Sequence, residues 1–430
     1  MQSSSIFFAA TFIALGAVAG CGSDGGGDGA TSSAGATGSA GMTGSAGAST
    51  GSAGSKGSAG ATASAGTTGS AGSTGTADTT GSAGASAVTD PQDGPPAGYA
   101  DGKAVVPAEG QAEDVSKPTT VIGKGSPEGC TGDAFVAAVA KGGVITFDCG
   151  ADPLTIVLTQ TAKVFNDKGT KLVIDGGNKV TLSGGGKVRI LYMSTCDKAQ
   201  VYPPGPGDCN TNPGVQLVIQ NLTFIDGNAK GIAEGTTNGA GGGAIHAQGG
   251  SLKVVNSRFF NNVCDDLGSD LGGGAIRKLD YLIAAGAGPK RPVWIVGSTF
   301  GGKEGLGNSC ANGGALSSIG VSWNIINSVL SYNTAVGHGA NSGMGGNGGA
   351  IYNDGNEIVM NVTRSLLENN KANEGGSAIF FVSNNKTGSI AVTDSLTRGN
   401  PRGTFETPDL PGFYVIAKGP AQIVNSQILR

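Results

Sequence analysis

Cys264-Asp265-Asp266, Asp270, Arg277, Lys278 and Asp280 bring a group of carboxylates close in sequence to basic side chains. Asp265, Asp266 and Asp270 offer the oxygens a hard cation takes, and Ca2+ is the ion such a set would hold. Loop aspartates beside glycine also shape turns, so both readings stand. Only two histidines exist, His246 and His338. His338 sits in the Gly-rich stretch AVGHGANSGMGGNGG and reads as a loop residue. No Ser-His-Asp arrangement can be assembled from so few histidines. DGGNKVTLSGGGK, at 175–187, lacks phosphate-loop spacing and has no helical pattern after it, so turn chemistry accounts for it.

These residues must be positioned by what surrounds them. The chain has 430 residues, 80 of them Gly, with 27 basic against 31 acidic side chains. A net charge of -4 without basic clusters argues against nucleic-acid binding. The N-terminus, residues 1–20, reads as a signal peptide: MQSSS, then the apolar run IFFAATFIALGAVAG, ending at Cys21. Residues 21–100 are a Gly/Ser/Ala/Thr tether that cannot bury enough apolar surface to fold. About 75 such residues span roughly 45–50 Å. No later run is apolar enough to cross a membrane, so any membrane contact would be through an anchor. The six remaining cysteines, Cys130, Cys149, Cys196, Cys209, Cys264 and Cys310, suit an exported, disulfide-forming chain. Their clustering favours the pairs 130–149, 196–209 and 264–310. Zinc is the competing reading, and no C-x-x-C spacing supports it.

Residues 101–430 alternate short apolar runs with Gly and Asn. One helix is expected, in TGDAFVAAVAKGG, capped by Thr131 and stopped at Gly142-Gly143. Downstream the phrase GGAI recurs at 241–245, 272–276, 313–316 (as GGAL), 348–351 and 375–379 (as GGSAI). Seven anchors share one register, Phe224, Phe259, Phe300, Leu330, Leu367, Thr397 and Ile428, spaced 35, 41, 30, 37, 30 and 31 residues apart; Phe224 precedes the first GGAI phrase, the next five each follow one, and Ile428 closes the series. Such a period predicts three short strands and three corners per unit, with successive units stacked in parallel. Parity slips at Asn221, Asn256 and Asn327 predict bends there. Asn262, Asn333, Asn370 and Asn400 predict a second asparagine ladder, and the Gly pairs a corner with positive φ. In this register His246, Arg277, Ser317, Tyr352 and Phe380 form one outward row, with Gln248, Asp354 and Val382 one row further. A guanidinium beside an imidazole, with rings further along, suits a sugar acid. A merely solvated sheet face is the other reading.

The end of the N-terminal run, Val18-Ala19-Gly20-Cys21, resembles the lipobox of bacterial lipoproteins, which implies lipidation of Cys21. Ala17-Val18-Ala19 would equally serve an ordinary signal peptidase, and no Lys or Arg precedes the apolar run. The GGAI and F-x-x-N phrases resemble those of right-handed parallel β-helix proteins, such as the chlamydial polymorphic outer-membrane proteins, over residues 215–430. The resemblance implies an all-β, single-stranded right-handed parallel β-helix with a short N-terminal capping helix. It implies a cell-surface or outer-membrane lipoprotein, or a secreted protein, that binds extracellular polysaccharide or mediates adhesion. Pectate-lyase-like enzymes share this fold, so the alternative is a lyase or hydrolase of uronic-acid polymers. A lyase would use a Lys or Arg base with Ca2+. The pectin hydrolases carry Gly-His-Gly, here Gly337-His338-Gly339, but the accompanying Asn-Thr-Asp and Arg-Ile-Lys are missing.

Overall fold

A computed structural model describes residues 93–202, 213–232, 240–280 and 291–430. All of them belong to one compact unit, Thr80–Arg430. The expected signal peptide, lipidated Cys21 and most of the tether lie outside the described residues, as does Cys209.

The described chain is all-β with long parallel sheets. The one α-helix, Gly132–Lys141, begins where the Thr131 hydroxyl accepts from the Ala134 N–H and ends at Gly142, φ 75°. It buries Phe135, Ala138 and Val139 against the first strands. Three sheets follow, of 17, 8 and 3 strands among the described residues, and every pairing between their strands is parallel. Each repeat gives two consecutive strands to the 17-stranded sheet and one to the 8-stranded sheet. Each strand pairs with its counterparts one repeat before and after. Phe259 faces Phe224 and Phe300, then Leu330, Leu367, Thr397 and Ile428 continue the row, in the register expected from sequence.

Side chains of like type then stack. The Phe224, Phe259 and Phe300 rings stack 4.9 and 4.6 Å apart with almost parallel planes. Asn221, Asn256 and Asn327 bend the chain at φ 55°, 46° and 54°. The second ladder is continuous. Asn333 Nδ2 donates to Asn370 Oδ1 at 3.0 Å, and Asn370 Nδ2 to Asn400 Oδ1 at 3.1 Å. It also contains Asn308, which the anchor-plus-three rule misses because the unit after Phe300 is longer. A serine ladder was not anticipated. From Ser257 to Ser426, each serine N–H donates to the hydroxyl one repeat on. Such ladders satisfy backbone groups that the corners would otherwise leave unpaired inside the protein.

Two expected disulfides are present, Cys130–Cys149 and Cys264–Cys310, the second joining adjacent repeats. Cys196 is disulfide-bonded as well. The tether boundary differs from expectation. Residues 93–100, expected as the end of the tether, continue with 101–117 as a strap along the asparagine corner. Gly98 N–H donates to Thr299 Oγ1, and Ala104 exchanges two hydrogen bonds with the Asn327 amide. Further along, Glu113 pairs with Lys171 and Lys253. Burial works against the Glu113 carboxylate, but the two lysines outweigh it and hold its pKa below the usual range.

Candidate functional site

The 8-stranded sheet has two faces. Ile245, Ile276, Leu316, Ile351, Ile379 and Phe413 join the main core. The other face carries Tyr192, His246, Arg277, Ser317, Tyr352, Phe380 and Tyr414 in continuous register. The expected row therefore exists and faces away from the main core. The expected exposure does not. His246, Ser317 and Tyr352 are 0% exposed, Phe380 3% and Arg277 4%, which removes the row as a solvated binding face. The cause is the glycine phrase itself, which runs over the row. A Cβ on Gly241 would lie 2.7 Å from Arg277 Cδ, and one on Gly272 2.6 Å from Ser317 Oγ. Only glycine lets the chain pass so close.

The N-terminal part of the row is packed interior. His246 stacks on Tyr192 at 5.4 Å, and Arg189 lies over the same ring. Burial, then the charges of Arg189 and Arg277, hold the imidazole well below the usual histidine range, only partly opposed by the Gly241 and Ala240 backbone. Arg277 donates to the Asp270 carbonyl at 2.6 Å. A buried guanidinium so engaged is not placed to serve as a base toward polymer in solvent.

The C-terminal part opens. The Tyr352 hydroxyl lies 3.1 Å from Asp270 Oδ1 and 3.3 Å from Asp354 Oδ2, and it accepts from Asn341 Nδ2 at 3.2 Å. Asn384 Nδ2 donates to Asp354 Oδ1 at 2.6 Å. One phenolic hydrogen cannot serve both carboxylates at once, so Asp270 and Asp354 compete for it. Burial raises the Asp354 pKa first and the Asp270 charge adds to it, against the Asn384 hydrogen bond. Burial and both carboxylates push the Tyr352 phenol well above its usual value. Asp270, Asn341 and Asn384 are exposed, and Asp354 is half-buried. Beside them Phe380 stacks between Tyr352 and Tyr414, 5.1 Å from each, and Phe405 meets Tyr414 edge-on. A rim of carboxylates and amides beside half-buried rings can hold a polyhydroxylated ligand.

The expected cation set is dispersed. Asp265 Oδ1 accepts from Gly231 N–H, Asp266 pairs with Lys230 and Asp270 serves Tyr352. Among the described residues no three His, Cys, Asp or Glu side chains come together to hold a metal. Lys278 sits on the core side of its strand, donating to the Leu279 carbonyl near Asp280, with burial lowering its pKa to about 8. Arg291 pairs with Asp280 at 3.0 Å. His338 is exposed in its loop.

Alternation alone puts Asp354 one row beyond the main row; its link to Asp270 through Tyr352 spans two repeats and leaves no local signature. Asn341 and Asn384 lie on loops without repeat signature, and Tyr414 follows no GGAI phrase. Compared with known proteins, the chain matches no family profile, no curated protein and no solved structure.

Proposed function

We propose that this chain is an exported, lipid-anchored surface protein that binds extracellular polysaccharide. Its folded part is read as a single-stranded right-handed parallel β-helix, with the tether lifting it from the membrane. Parallel pairing of each repeat with the next supports the architecture, and the disulfides suit an oxidising compartment. Ligand contact is assigned to the open end of the row, at Asp354, Asn384, Asn341 and Tyr414. The observation that carries this is the open cluster of carboxylates and amides around one phenol, flanked by stacked rings. The test is retention of the full chain in gels containing neutral or uronic-acid polysaccharides. Retention that falls in Asn384→Ala and Tyr414→Ala supports the assignment. Retention by no polysaccharide refutes it.

One observation favours a second reading, cleavage of the bound polymer. Two carboxylates share Tyr352, and burial raises the pKa of Asp354, the direction a general acid needs. New reducing ends, lost in Asp354→Asn, would move the reading from binding to hydrolysis. Absorbance from unsaturated products would point to a lyase instead.

A further inference from the structure

The 17-stranded sheet carries a separate opening at its asparagine corner. The strand Lys171–Ser183 pairs with Gln216–Ile225, but the register jumps between Asp175 and Val180. Residues 176–179 face Asn221 alone, and the surplus bulges outward with Gly177 at φ 59° and Asn178 at φ 60°. Bulges of this kind re-aim side chains and are frequent beside binding sites. Here the bulge sends the Asn178 amide past Asn221 to the repeat beyond. Asn256 Nδ2 donates to Asn178 Oδ1 at 2.9 Å and to Asn221 Oδ1 at 2.7 Å. Asn221 Nδ2 donates to Asp175. Asn178 Nδ2 and Asn256 Oδ1 keep no partner among the described residues.

Asn178 and Asn256 both line a cleft of about 280 Å3. Leu222 and Thr223 line it, Arg258 closes one side and Pro96-Ala97 of the strap form an apolar wall. Arg258 is already occupied, donating from Nε to Thr223 Oγ1 and lying over the Phe260 ring. No acidic side chain lines the cleft. It therefore offers one amide donor, one amide acceptor and an apolar wall at the scale of a single ring. Hydroxyl groups both donate and accept, and a pyranose also presents an apolar face. We propose that this cleft is a second ligand site, independent of the Tyr352 cluster, that takes one neutral pyranose unit.

The test is saturation-transfer NMR on the full chain. The probes are methyl α-D-glucopyranoside, methyl α-D-galactopyranoside, methyl N-acetyl-α-D-glucosaminide and D-galacturonate. Asn178→Gly and Asn256→Gly delete the amides while keeping positive φ accessible. Ala97→Trp fills the cleft from the strap, away from the core. At least one neutral glycoside is expected to give a signal that falls about fivefold or more in each of the three variants and is kept in Asn384→Ala. No signal from any neutral glycoside, or a signal that survives Ala97→Trp, overturns the proposal. A neutral signal lost only in Asn384→Ala also overturns it, while leaving the Tyr352 site standing.

Discussion

Two rows of side chains run along this protein, one repeat apart from member to member, and they behave oppositely. The row begun by Phe224, Phe259 and Phe300 stays apolar or nearly so to Ile428. The row Tyr192, His246, Arg277, Ser317, Tyr352, Phe380 and Tyr414 changes chemical type at almost every step. Both are largely buried. The first sits in the main core, where each residue meets its own kind and the optimum is uniform. The second lies under the glycine phrase at Arg277 and Ser317 but beside the loop carrying Asn341 at Tyr352, so its members answer to different covers. Where the cover parts, beside Tyr352, polar groups reach solvent. Uniformity in a register thus marks architecture, and variation marks where an individual repeat is free to acquire chemistry.

The largest expected effect separates the rows energetically. Phe259→Ala should cost about 3–5 kcal/mol in chemical denaturation, the range for a fully buried aromatic. Phe380→Ala, whose ring meets half-buried Tyr414, should cost roughly half as much. Equal losses would erase the distinction. Next, the Cys264–Cys310 cross-link closes a separation of 46 residues beside the covering loops. Replacing both with Ala should cost about 2–4 kcal/mol. A negligible loss would mean the loops are held by the glycine corners alone.

A smaller effect contrasts ladder with site. Asn333 is 0% exposed and links Asn308, Asn370 and the Phe300 carbonyl. Asn333→Ala should lower stability by about 2–3 kcal/mol, whereas exposed Asn384→Ala should stay within about 0.5 kcal/mol. The smallest effect is electrostatic. His246 has a depressed pKa in the folded state, so its contribution is intact above the unfolded histidine value and is lost as pH falls. Between about pH 6.5 and 5.5 it should cost the protein up to about 1 kcal/mol. His246→Phe should flatten that part of the stability curve. Asp354, raised in the folded state, acts with the opposite sign: its contribution is present at low pH and lost as pH rises through its pKa.

The anchors, corners and ladders were legible in the sequence because one rule, like facing like, repeats along the chain. Asn221, Asn256 and Asn327 appear as parity slips, and the structure gives each a positive φ. The strap was not legible: GPPAGYADGKAV continues the composition of the tether, and its order comes from Thr299 and Asn327 some two hundred residues away. The burial of His246 was not legible either. Alternation tells which face a side chain takes, but not whether a glycine segment of the same or the preceding repeat will lie across it. For the same reason the Asp270–Tyr352–Asp354 contact escaped the reading, since it joins loop and strand from different repeats.

The central claim is that ligand contact concentrates where the varied row opens. Hydrogen–deuterium exchange of the full chain, with and without a polysaccharide that retains it in gels, tests this most directly. Slowed exchange is predicted at 341–355 and 383–385 on binding, with the strand Gly143–Asp148, part of neither proposed site, unchanged. Binding that leaves both of those segments unprotected would contradict it.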